Sequence, residues 1–398
     1  MRPAPVARGI ASGAMTAPGV RDRPDACPGA LQTHAAADGA LARVRVPGGL
    51  VTGAQLAVLA TAARDLGDGA LELTSRGNVQ LRGLAPDATA DLAERLTGAG
   101  LLPSPAHDRV RNVLASTLSG RIAGGSVDAR SWPADVDCGL RADPTLADLP
   151  GRFLVTLDDG RGDVAGLAGD VGLFALPDGS VALTLAGADS GVRATAAEAV
   201  PLALAAVRAY RDERAAQGST AWRLAELAGG AGAVLARAGL APDRAGPMPG
   251  PVDGGPVGAV PQLDGRTALV AAVPFGRLSP AAAELLAAGA ELQVTPWRSI
   301  AVPDLDAGEV ADLAAALEEA GLVLDPADPW LRVTACTGLP GCAKSLADVR
   351  ADATAALAAD ALPAGGARQH WAGCERRCGR PRGAVVDVVA TLDGYRVG

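Results

Sequence analysis

Two short segments near the C-terminus, Cys336-Thr337-Gly338-Leu339-Pro340-Gly341-Cys342 and Cys374-Glu375-Arg376-Arg377-Cys378, contain four of the six cysteines of the chain. Four thiolates from two loops can surround one cubane, because each iron of a 4Fe–4S cluster needs one soft sulfur ligand. Zinc is the alternative, but its cysteine pairs are usually separated by about two to four residues, and neither knuckle spacing occurs twice here. A disulfide framework is disfavoured because nothing in the chain indicates export. The cysteines therefore predict a 4Fe–4S site.

The spacing of these pairs resembles the signature of the nitrite and sulfite reductase family. In that family the last cysteine also bridges the cluster to the iron of a sirohaem. Residues 370–373 and 379–381, which flank the second pair, are more similar to one branch of the family, the precorrin-3B synthases. The resemblance extends from about Cys27 to the C-terminus and is specific at the four cysteines.

Length, charge and hydropathy limit the class of protein. A chain of 398 residues can bury a sizeable core and normally forms two or three domains. The net charge of −8 argues against nucleic acid or an anionic membrane as the main partner. There is no apolar run of about 18 residues, which predicts no transmembrane helix. The first residues lack the apolar core of a signal peptide, so we expect a cytoplasmic protein.

The N-terminal third follows the pattern of a ferredoxin-like half-domain. Residues 43–46 alternate like a strand, and Thr52 with Gln55 forms a capping box that opens a helix. Residues 71–74 and 79–82 are predicted strands, and a helix follows them. The order strand, helix, strand, strand, helix is that of a ferredoxin-like half-domain.

The same pattern returns later in the chain. Residues 71–84 match residues 292–305 at an offset of 221, and the register still holds at Arg111 and Arg332. A register that persists over some forty residues indicates an internal duplication. Together with the resemblance, it predicts an α+β fold of duplicated ferredoxin-like half-domains with nitrite/sulfite reductase-type 4Fe–4S domains, related by a pseudo-twofold axis.

The two copies differ at the cysteine loop. Residues 115–120 align with residues 336–341, and Arg121 aligns with Cys342, so the first copy has the loop without the thiols. We therefore expect the following units: a disordered N-terminus over residues 1–22, half-domain copy 1 over 23–108, an α+β reductase-type domain without a cluster over 109–240, a Pro/Gly linker over 241–262, half-domain copy 2 over 263–330, and the 4Fe–4S domain over 331–398.

Several arginines lie in or beside the loops that the duplication brings to one cleft. Guanidinium groups bind carboxylates bidentately, which suits a tetrapyrrole with acetate and propionate arms. The alternative is that they are solvated surface residues. In the family, arginines of the corresponding motifs bind tetrapyrrole and anion, which implies Arg76 and the pair Arg111-Asn112. The expected substrate-binding residues are Arg76, Arg82, Arg111, Asn112 and Arg152.

Residues 149–154 depart from the reductase pattern. Sulfite and nitrite reductases carry two lysines, two positions apart, which bind and protonate the small anion. Here those positions hold Arg152 and Leu154, so one cation is replaced by an apolar residue. The departure disfavours multi-electron reduction of a small anion, whereas it leaves binding of a bulky acidic substrate possible. The alternative is a strand start with an ordinary surface arginine.

Three further residues carry weaker signals. His370 precedes Cys374 by four residues and could reach a substrate or an iron, although a lone histidine is more often structural. Cys27 and Cys138 are expected to be buried or lining thiols rather than ligands. No glycine-rich dinucleotide motif follows a strand and there is no flavin motif, so electrons must come from a separate ferredoxin or NAD(P)H-dependent reductase.

The resemblance implies a precorrin-3B synthase-type monooxygenase in cobalamin biosynthesis. Such an enzyme uses dioxygen to hydroxylate precorrin-3A at C20 and forms a lactone with the ring A acetate. The cluster would pass electrons toward an additional, non-haem iron, whose ligands and catalytic neighbours the sequence does not identify. The alternative is a sirohaem-dependent nitrite or sulfite reductase, and a non-catalytic iron–sulfur carrier is a third hypothesis.

Overall fold

The computed structural model describes residues 25–398, so the disorder predicted for residues 1–22 lies outside the described residues. The first half of the chain contains β1 (His34–Ala36), β2 (Gly39–Val44), β3 (Leu50–Thr52), α1 (Gly53–Leu66), β4 (Leu71–Leu73), β5 (Val79–Leu84), α2 (Thr89–Gly98), β6 (Val113–Ala115), α3 (Trp132–Ala142), β7 (Val155–Asp158), β8 (Val171–Ala175), β9 (Val181–Leu185), β10 (Ala188–Ala194), α4 (Ala196–Ala216) and α5 (Gly230–Ala238).

The second half repeats this order. It contains β11 (Gly258–Pro261), β12 (Thr267–Ala272), β13 (Arg277–Leu278), α6 (Pro280–Leu286), β14 (Glu291–Val294), β15 (Ser299–Leu305), α7 (Ala307–Glu319), β16 (Val333–Ala335), α8 (Val349–Ala358), β17 (Gln369–Ala372), β18 (Val386–Thr391) and β19 (Gly394–Val397). From β1 to β9 each element has its counterpart from β11 to β19, which confirms the duplication. None of the helices in residues 25–398 is long and apolar enough to cross a membrane.

The two half-domains complete each other's sheets. The first sheet has the order β1-β2-β5-β4-β13 and the second has the order β11-β12-β15-β14-β3, so each receives an edge strand from the other copy. Arg277 pairs with Glu72, and Leu292 pairs with Val51. The exchange fixes the two copies in one arrangement, as expected for duplicated half-domains about a pseudo-twofold axis.

One apolar core joins the copies. Buried side chains of both form a single cluster, for example Leu59 and Leu81 with Leu292 and Ile300. Full burial of one such side chain contributes about 1.5–3 kcal/mol, so the cluster makes a substantial contribution to holding the halves together. Because the copies cannot separate without exposing this core, loops from both can build one site.

Local signals account for the start of α1. The Thr52 side chain accepts a hydrogen bond from the Gln55 backbone N–H at 3.1 Å, and the Gln55 side chain accepts one from the Thr52 N–H at 3.0 Å. This is the predicted capping box, which satisfies two donors that the first helical turn leaves unpaired.

The remaining strands form two smaller sheets, with the orders β10-β9-β8-β7-β6 and β16-β17-β18-β19. The strands β16, β17 and β18 are parallel, so the loops after β16 and β17 leave the same edge of the sheet. Cys336 follows β16 directly and Cys374 follows β17 by two residues. Sheet topology thus brings the two cysteine pairs together.

The segment between the copies contains a 3-10 turn at Leu224–Glu226, followed by α5. Gly229 and Gly230 have φ values of 72° and 48°, a left-handed backbone that interrupts a continuous helix. The linker expected over residues 241–262 ends earlier, because β11 pairs with β12.

Candidate functional site

The four cysteines of the two C-terminal pairs, Cys336, Cys342, Cys374 and Cys378, line one cavity of about 660 Å³. The opposite wall comes from β2 and β5 of the first half-domain, including Arg43 and Arg82. We call this space the cysteine cavity. It lies between the copies, so residues from both halves of the duplication surround the thiols.

The spacing of the thiols favours a group larger than one zinc ion. Sulfur ligands of a tetrahedral zinc lie about 3.8 Å apart, because each Zn–S bond is about 2.3 Å long. In the part of the chain that the structure describes, no three of the cysteine sulfurs lie within 4.8 Å of one another. The Gly373 backbone N–H donates to Cys336 Sγ at 3.2 Å, a contact of the kind that tunes iron–sulfur clusters. Four thiols around one cavity are the donor set of a 4Fe–4S cluster, and they lie further apart than the ligands of a single zinc ion.

The ionisation of Cys378 reflects the other three thiols. Burial raises the pKa of the Cys378 thiol, the nearby Arg376 lowers it, and the thiols of the other three cysteines raise it further. The other three thiols therefore lie within electrostatic range of Cys378, and a bound positively charged metal centre would favour its thiolate form.

The equivalent place in the first copy is closed. Arg121, which aligns with Cys342, lies within 2.9 Å of both Asp304 and Glu291. The neighbouring Leu118 packs into a small apolar cluster with Val270 of β12. An ion pair and a leucine therefore occupy, in the first copy, the place that the cysteine loop takes in the second.

A second cavity of about 380 Å³ adjoins the first. Ser75, Phe275, Arg298 and Gly379 line both spaces, which makes them one continuous cleft. We call the second space the arginine cavity, because its walls include Arg76, Arg223, Arg298, Arg368, Arg380 and Arg382. Phe275, Trp297 and Trp330 add aromatic surface to it.

Three of these guanidinium groups, those of Arg223, Arg368 and Arg380, are paired with carboxylates, whereas those of Arg76, Arg298 and Arg382 have no carboxylate partner among the described residues. Arg223 lies 2.8 Å from Asp170, and Arg380 lies 2.8 Å from Asp387. Arg76 instead donates from Nη1 to the carbonyl oxygen of Arg152 at 3.1 Å. Arg298 donates from Nη2 to the carbonyl oxygen of Gly379 at 3.1 Å. Within residues 25–398, neither Arg76 nor Arg298 has a carboxylate partner, so both can bind an anionic ligand.

The pKa values of these two side chains reflect their surroundings. Burial, with the positive charge of Arg223 as the next contribution, lowers the pKa of Arg76 to about 10. Burial and the charge of Arg350 lower the pKa of Arg298. Both remain cations at neutral pH, and a carboxylate in the cleft would relieve the cost of keeping them charged there.

Arg82 was expected to bind substrate, but in the wall of the cysteine cavity its guanidinium is paired with groups of the protein itself. Its Nε lies 3.0 Å from Asp38, and its Nη2 donates to the carbonyl oxygen of Gly341 at 2.9 Å. The guanidinium therefore ties the first cysteine loop to the first half-domain. Its position fits a role in shaping the cluster site, and its charge is already neutralised.

Arg111 and Asn112 correct the sequence-based expectation. Arg111 is buried, forms an ion pair with Asp137, and donates to the carbonyl oxygen of Leu101 at 3.1 Å. Asn112 donates to the carbonyl oxygen of Gly151 at 2.7 Å. Neither is among the residues that line the cysteine or arginine cavity. These contacts assign both residues to the support of the first copy, and they do not enter the proposed substrate site.

Arg152 lies beside the cleft rather than in it. Its side chain is exposed and stacks over the Trp222 ring at 4.9 Å, whereas its carbonyl oxygen accepts from Arg76. Leu154, two residues on, does line the arginine cavity. The position where the reductase pattern has a second lysine is therefore apolar surface inside the cleft.

The structure also shows the surroundings of the remaining three residues, His370, Cys27 and Cys138. His370 is buried, its Nδ1 lies 3.0 Å from Thr334 Oγ1, and burial lowers its pKa to about 4, so the ring is neutral. Cys27 is partly buried, near Arg43. Cys138 was expected to be buried or to line a cavity, but it lies in α3 and is exposed to solvent.

The ligands of an additional iron are not evident. Asp158, Asp159 and Asp163 form the one group of three possible donors within 4.8 Å among the described residues. Asp158 accepts from four backbone N–H groups, and Asp159 pairs with Arg161 at 3.0 Å. These carboxylates are occupied by the loop that follows β7, and the three residues do not line either cavity.

Sequence reasoning missed Arg298, Trp297 and Phe275. The signal was present in the duplication, because the offset of 221 places Arg298 opposite Gly77. A large cation in place of glycine, in a loop that is otherwise repeated, indicates a function specific to one copy. Phe275 gave the same kind of signal, because the repeated pattern Val-Pro-x-Gly at residues 46–49 and 273–276 places it opposite Gly48, and both residues have a positive φ.

Comparison with known proteins agrees with this architecture. Residues 34–99 match the family described as the nitrite/sulfite reductase ferredoxin-like half domain. The solved structure of the Mycobacterium tuberculosis NirA protein superimposes with a TM-score of 0.72 at 22% identity, over 86% of this chain and 69% of that chain. The chain therefore has a nitrite/sulfite reductase-like fold.

Among curated relatives, a precorrin-3B synthase from Sinorhizobium sp. is 28% identical over 393 residues, which are 94% of this chain and 82% of that protein. The similarity to precorrin-3B synthase thus extends along nearly the whole chain. A ferredoxin–nitrite reductase from Synechococcus elongatus is 33% identical over 127 residues, 30% of this chain and 25% of that protein. The hemoprotein β-component of a sulfite reductase from Acidithiobacillus ferrooxidans matches 23% of this chain and 16% of its own length. The chain thus matches only a quarter or less of these reductases.

Proposed function

We propose that this protein is an oxygen-dependent monooxygenase that converts precorrin-3A to precorrin-3B, by C20 hydroxylation with lactone formation. The observation that carries the proposal is the continuous cleft, which has four cysteines at one end and unpaired arginines with aromatic walls at the other. The homology to precorrin-3B synthase over 94% of the chain supports it.

The residues present fit a cluster. Cys336, Cys342, Cys374 and Cys378 would hold a 4Fe–4S cluster, which supplies electrons one at a time when bound. Arg82 and Gly373 keep the two cysteine loops in place through the contacts described above. The electrons would come from a separate ferredoxin or NAD(P)H-dependent reductase, since no dinucleotide motif is present in the sequence.

The arginine cavity suits a flat polycarboxylate. Arg76 and Arg298 are cations without carboxylate partners in the described chain, and each can form a charge-assisted hydrogen bond with an acetate or propionate arm. Trp297 and Phe275 offer aromatic surface to an apolar ring system. Both cavities have volumes in the range of about 300–1,000 Å³ that is typical of ligand pockets.

Leu154 separates this proposal from its alternative, a sirohaem-dependent nitrite or sulfite reductase. A small anion makes few contacts, so its binding depends on convergent cations that can also deliver protons. An apolar side chain at this place in the cleft removes one of them. A large substrate with several carboxylates does not depend on any single cation.

The test is an absorption spectrum of anaerobically purified protein, together with assays of both reactions. We expect a broad iron–sulfur shoulder without sirohaem bands, turnover of precorrin-3A that requires dioxygen and an electron donor, and negligible reduction of sulfite. Sirohaem bands with robust six-electron production of sulfide would replace the proposal by the reductase alternative.

A further inference from the structure

Arg298 stands where the cysteine cavity meets the arginine cavity, and it lines both. It lies in the loop between β14 and β15 and corresponds to Gly77 of the first copy. The two residues share a left-handed backbone, with φ values of 61° and 63°. Glycine adopts this conformation freely, whereas an arginine does so only at a cost in backbone strain. The side chain therefore serves a purpose that the turn itself does not require.

Two glycines make room for this side chain. A Cβ added at Gly276 would lie 2.6 Å from Arg298 Cδ, and a Cβ added at Gly379 would lie 3.0 Å from Arg298 Nη2. Arg298 Nη2 donates to the carbonyl oxygen of Gly379 at 3.1 Å. Gly379 directly follows Cys378, so the guanidinium is held against the loop that carries the last cysteine.

The charge of Arg298 is not neutralised by its neighbours. Arg350 repels it and Glu72 attracts it, but Glu72 is already paired with Arg350 at 2.7 Å. In the part of the chain described, Arg298 has no carboxylate within ion-pair distance. A cation held deep in a protein acts strongly on nearby charges, because the effective dielectric constant there is far lower than that of water.

We propose that Arg298 raises the reduction potential of the cluster held by the four cysteines, and so favours entry of the electron at that end of the cleft. The inference rests on the cluster assignment made in the proposed function. One electron from an external one-electron donor adds one negative charge to the cluster without forming or breaking a bond. A fixed positive charge beside the Cys378 loop stabilises that reduced form.

The experiment is an anaerobic redox titration of the cluster-loaded protein, followed by electron paramagnetic resonance of the reduced cluster. Arg298→Gln removes the charge but keeps a hydrogen-bond donor, and Arg298→Gly removes both while matching the backbone of Gly77. At a fixed potential, we expect the ratio of reduced to oxidised cluster to fall about tenfold in both variants, which is about 59 mV for a one-electron couple. Arg298→Lys, which retains the charge, should stay within about threefold of the wild type.

Arg380→Gln is the matched control. Arg380 also lines the arginine cavity, but its side chain is 35% exposed to solvent, which screens its charge, and its partner Asp387 keeps a second cation, Arg377, at 3.0 Å. Its loss should therefore change the ratio less than about twofold. Iron and acid-labile sulfide are measured for each variant, so that only loaded protein is compared. An unchanged potential in Arg298→Gln, or an equal fall in Arg298→Lys, would overturn the inference.

Two outcomes of the iron and sulfide measurement are also decisive. Loss of the cluster from both neutral variants would replace the proposed tuning by a role in cluster assembly. Absence of a cluster from the wild-type protein would refute the cofactor assignment itself, which is a separate failure from an unchanged potential.

Discussion

If the cleft holds a polycarboxylate, the charge of Arg76 lowers the stability of the ligand-free protein and strengthens binding of the ligand. The pKa of Arg76 is lowered from the usual value of an arginine to about 10, first by burial. At pH 7 the side chain is charged in both the folded and the unfolded protein, so the full cost of the lowered pKa destabilises the fold. That cost disappears only as the pH rises from about 10 toward the unfolded value.

The size of the pKa shift of Arg76 gives the size of this destabilisation. A lowered pKa of this size corresponds to about 3 kcal/mol, since one unit is about 1.4 kcal/mol. Loss of the hydrogen bond to the Arg152 carbonyl oxygen offsets about 1 kcal/mol of the gain. We therefore expect Arg76→Met to raise the free energy of unfolding of the ligand-free protein by about 1–2 kcal/mol, as measured by urea denaturation at pH 7.

The same substitution should weaken ligand binding. A charge-assisted hydrogen bond contributes about 1.5–3 kcal/mol, so the Kd for precorrin-3A should rise at least about tenfold. Anaerobic fluorescence titration measures the Kd, and iron content checks that the cluster is retained. Arg223→Met is a control in the same cavity, because its partner Asp170 would be left buried and the fold should lose stability. A less stable Arg76→Met, or one that binds the ligand with unchanged affinity, would refute the reasoning.

Three other substitutions test separate parts of the account. Cys336→Ser should strip or degrade the cluster, whereas Cys138→Ser should leave iron and sulfide content unchanged, because Cys138 is exposed on α3. Arg111→Ala should destabilise the fold by about 2 kcal/mol in denaturant titrations, since it removes one of the two arginines paired with the buried Asp137 and leaves only Arg141, at 2.8 Å. It should leave the affinity for the tetrapyrrole within about twofold. A large loss of affinity with normal stability would return Arg111 to the substrate site. Gly49→Ala should be strongly destabilising, because the added Cβ would lie 1.9 Å from the carbonyl oxygen of Val294 in β14, and because the φ of Gly49 is 73°. Normal thermal stability of this variant would contradict the close packing of the two copies.

Much of the fold was predictable because the two copies align in sequence at a constant offset. The match of residues 71–84 to residues 292–305 fixed the order of elements in both copies, and each copy follows it. The exchange of β3 and β13 between the sheets was not predictable. These strands have three and two residues, and their pairing depends on the packing of the whole core rather than on local pattern.

The site was predictable where ligand chemistry restricts the sequence. Cysteine spacing identified the cysteine cavity, because few groups use four thiolates. Arginine positions were less informative, since the same residue type serves as a free anion ligand at Arg76 and as a buried structural ion pair at Arg111. The deciding factor is the partner, Asp137 in the second case, which lies on a helix 26 residues further along the chain.

In the proposed reaction, the cleft beside the four cysteines oxygenates a tetrapyrrole. Its most direct test is a reaction of the cluster-loaded protein with precorrin-3A, a one-electron donor and ¹⁸O-labelled dioxygen, with mass spectrometry of the product. We predict that one labelled oxygen atom enters the tetrapyrrole while the other is reduced to water by two electrons from the donor. The opposite result is a tetrapyrrole that is unchanged or carries no label, while the same protein and donor reduce sulfite to sulfide. That result would contradict the proposed oxygenation.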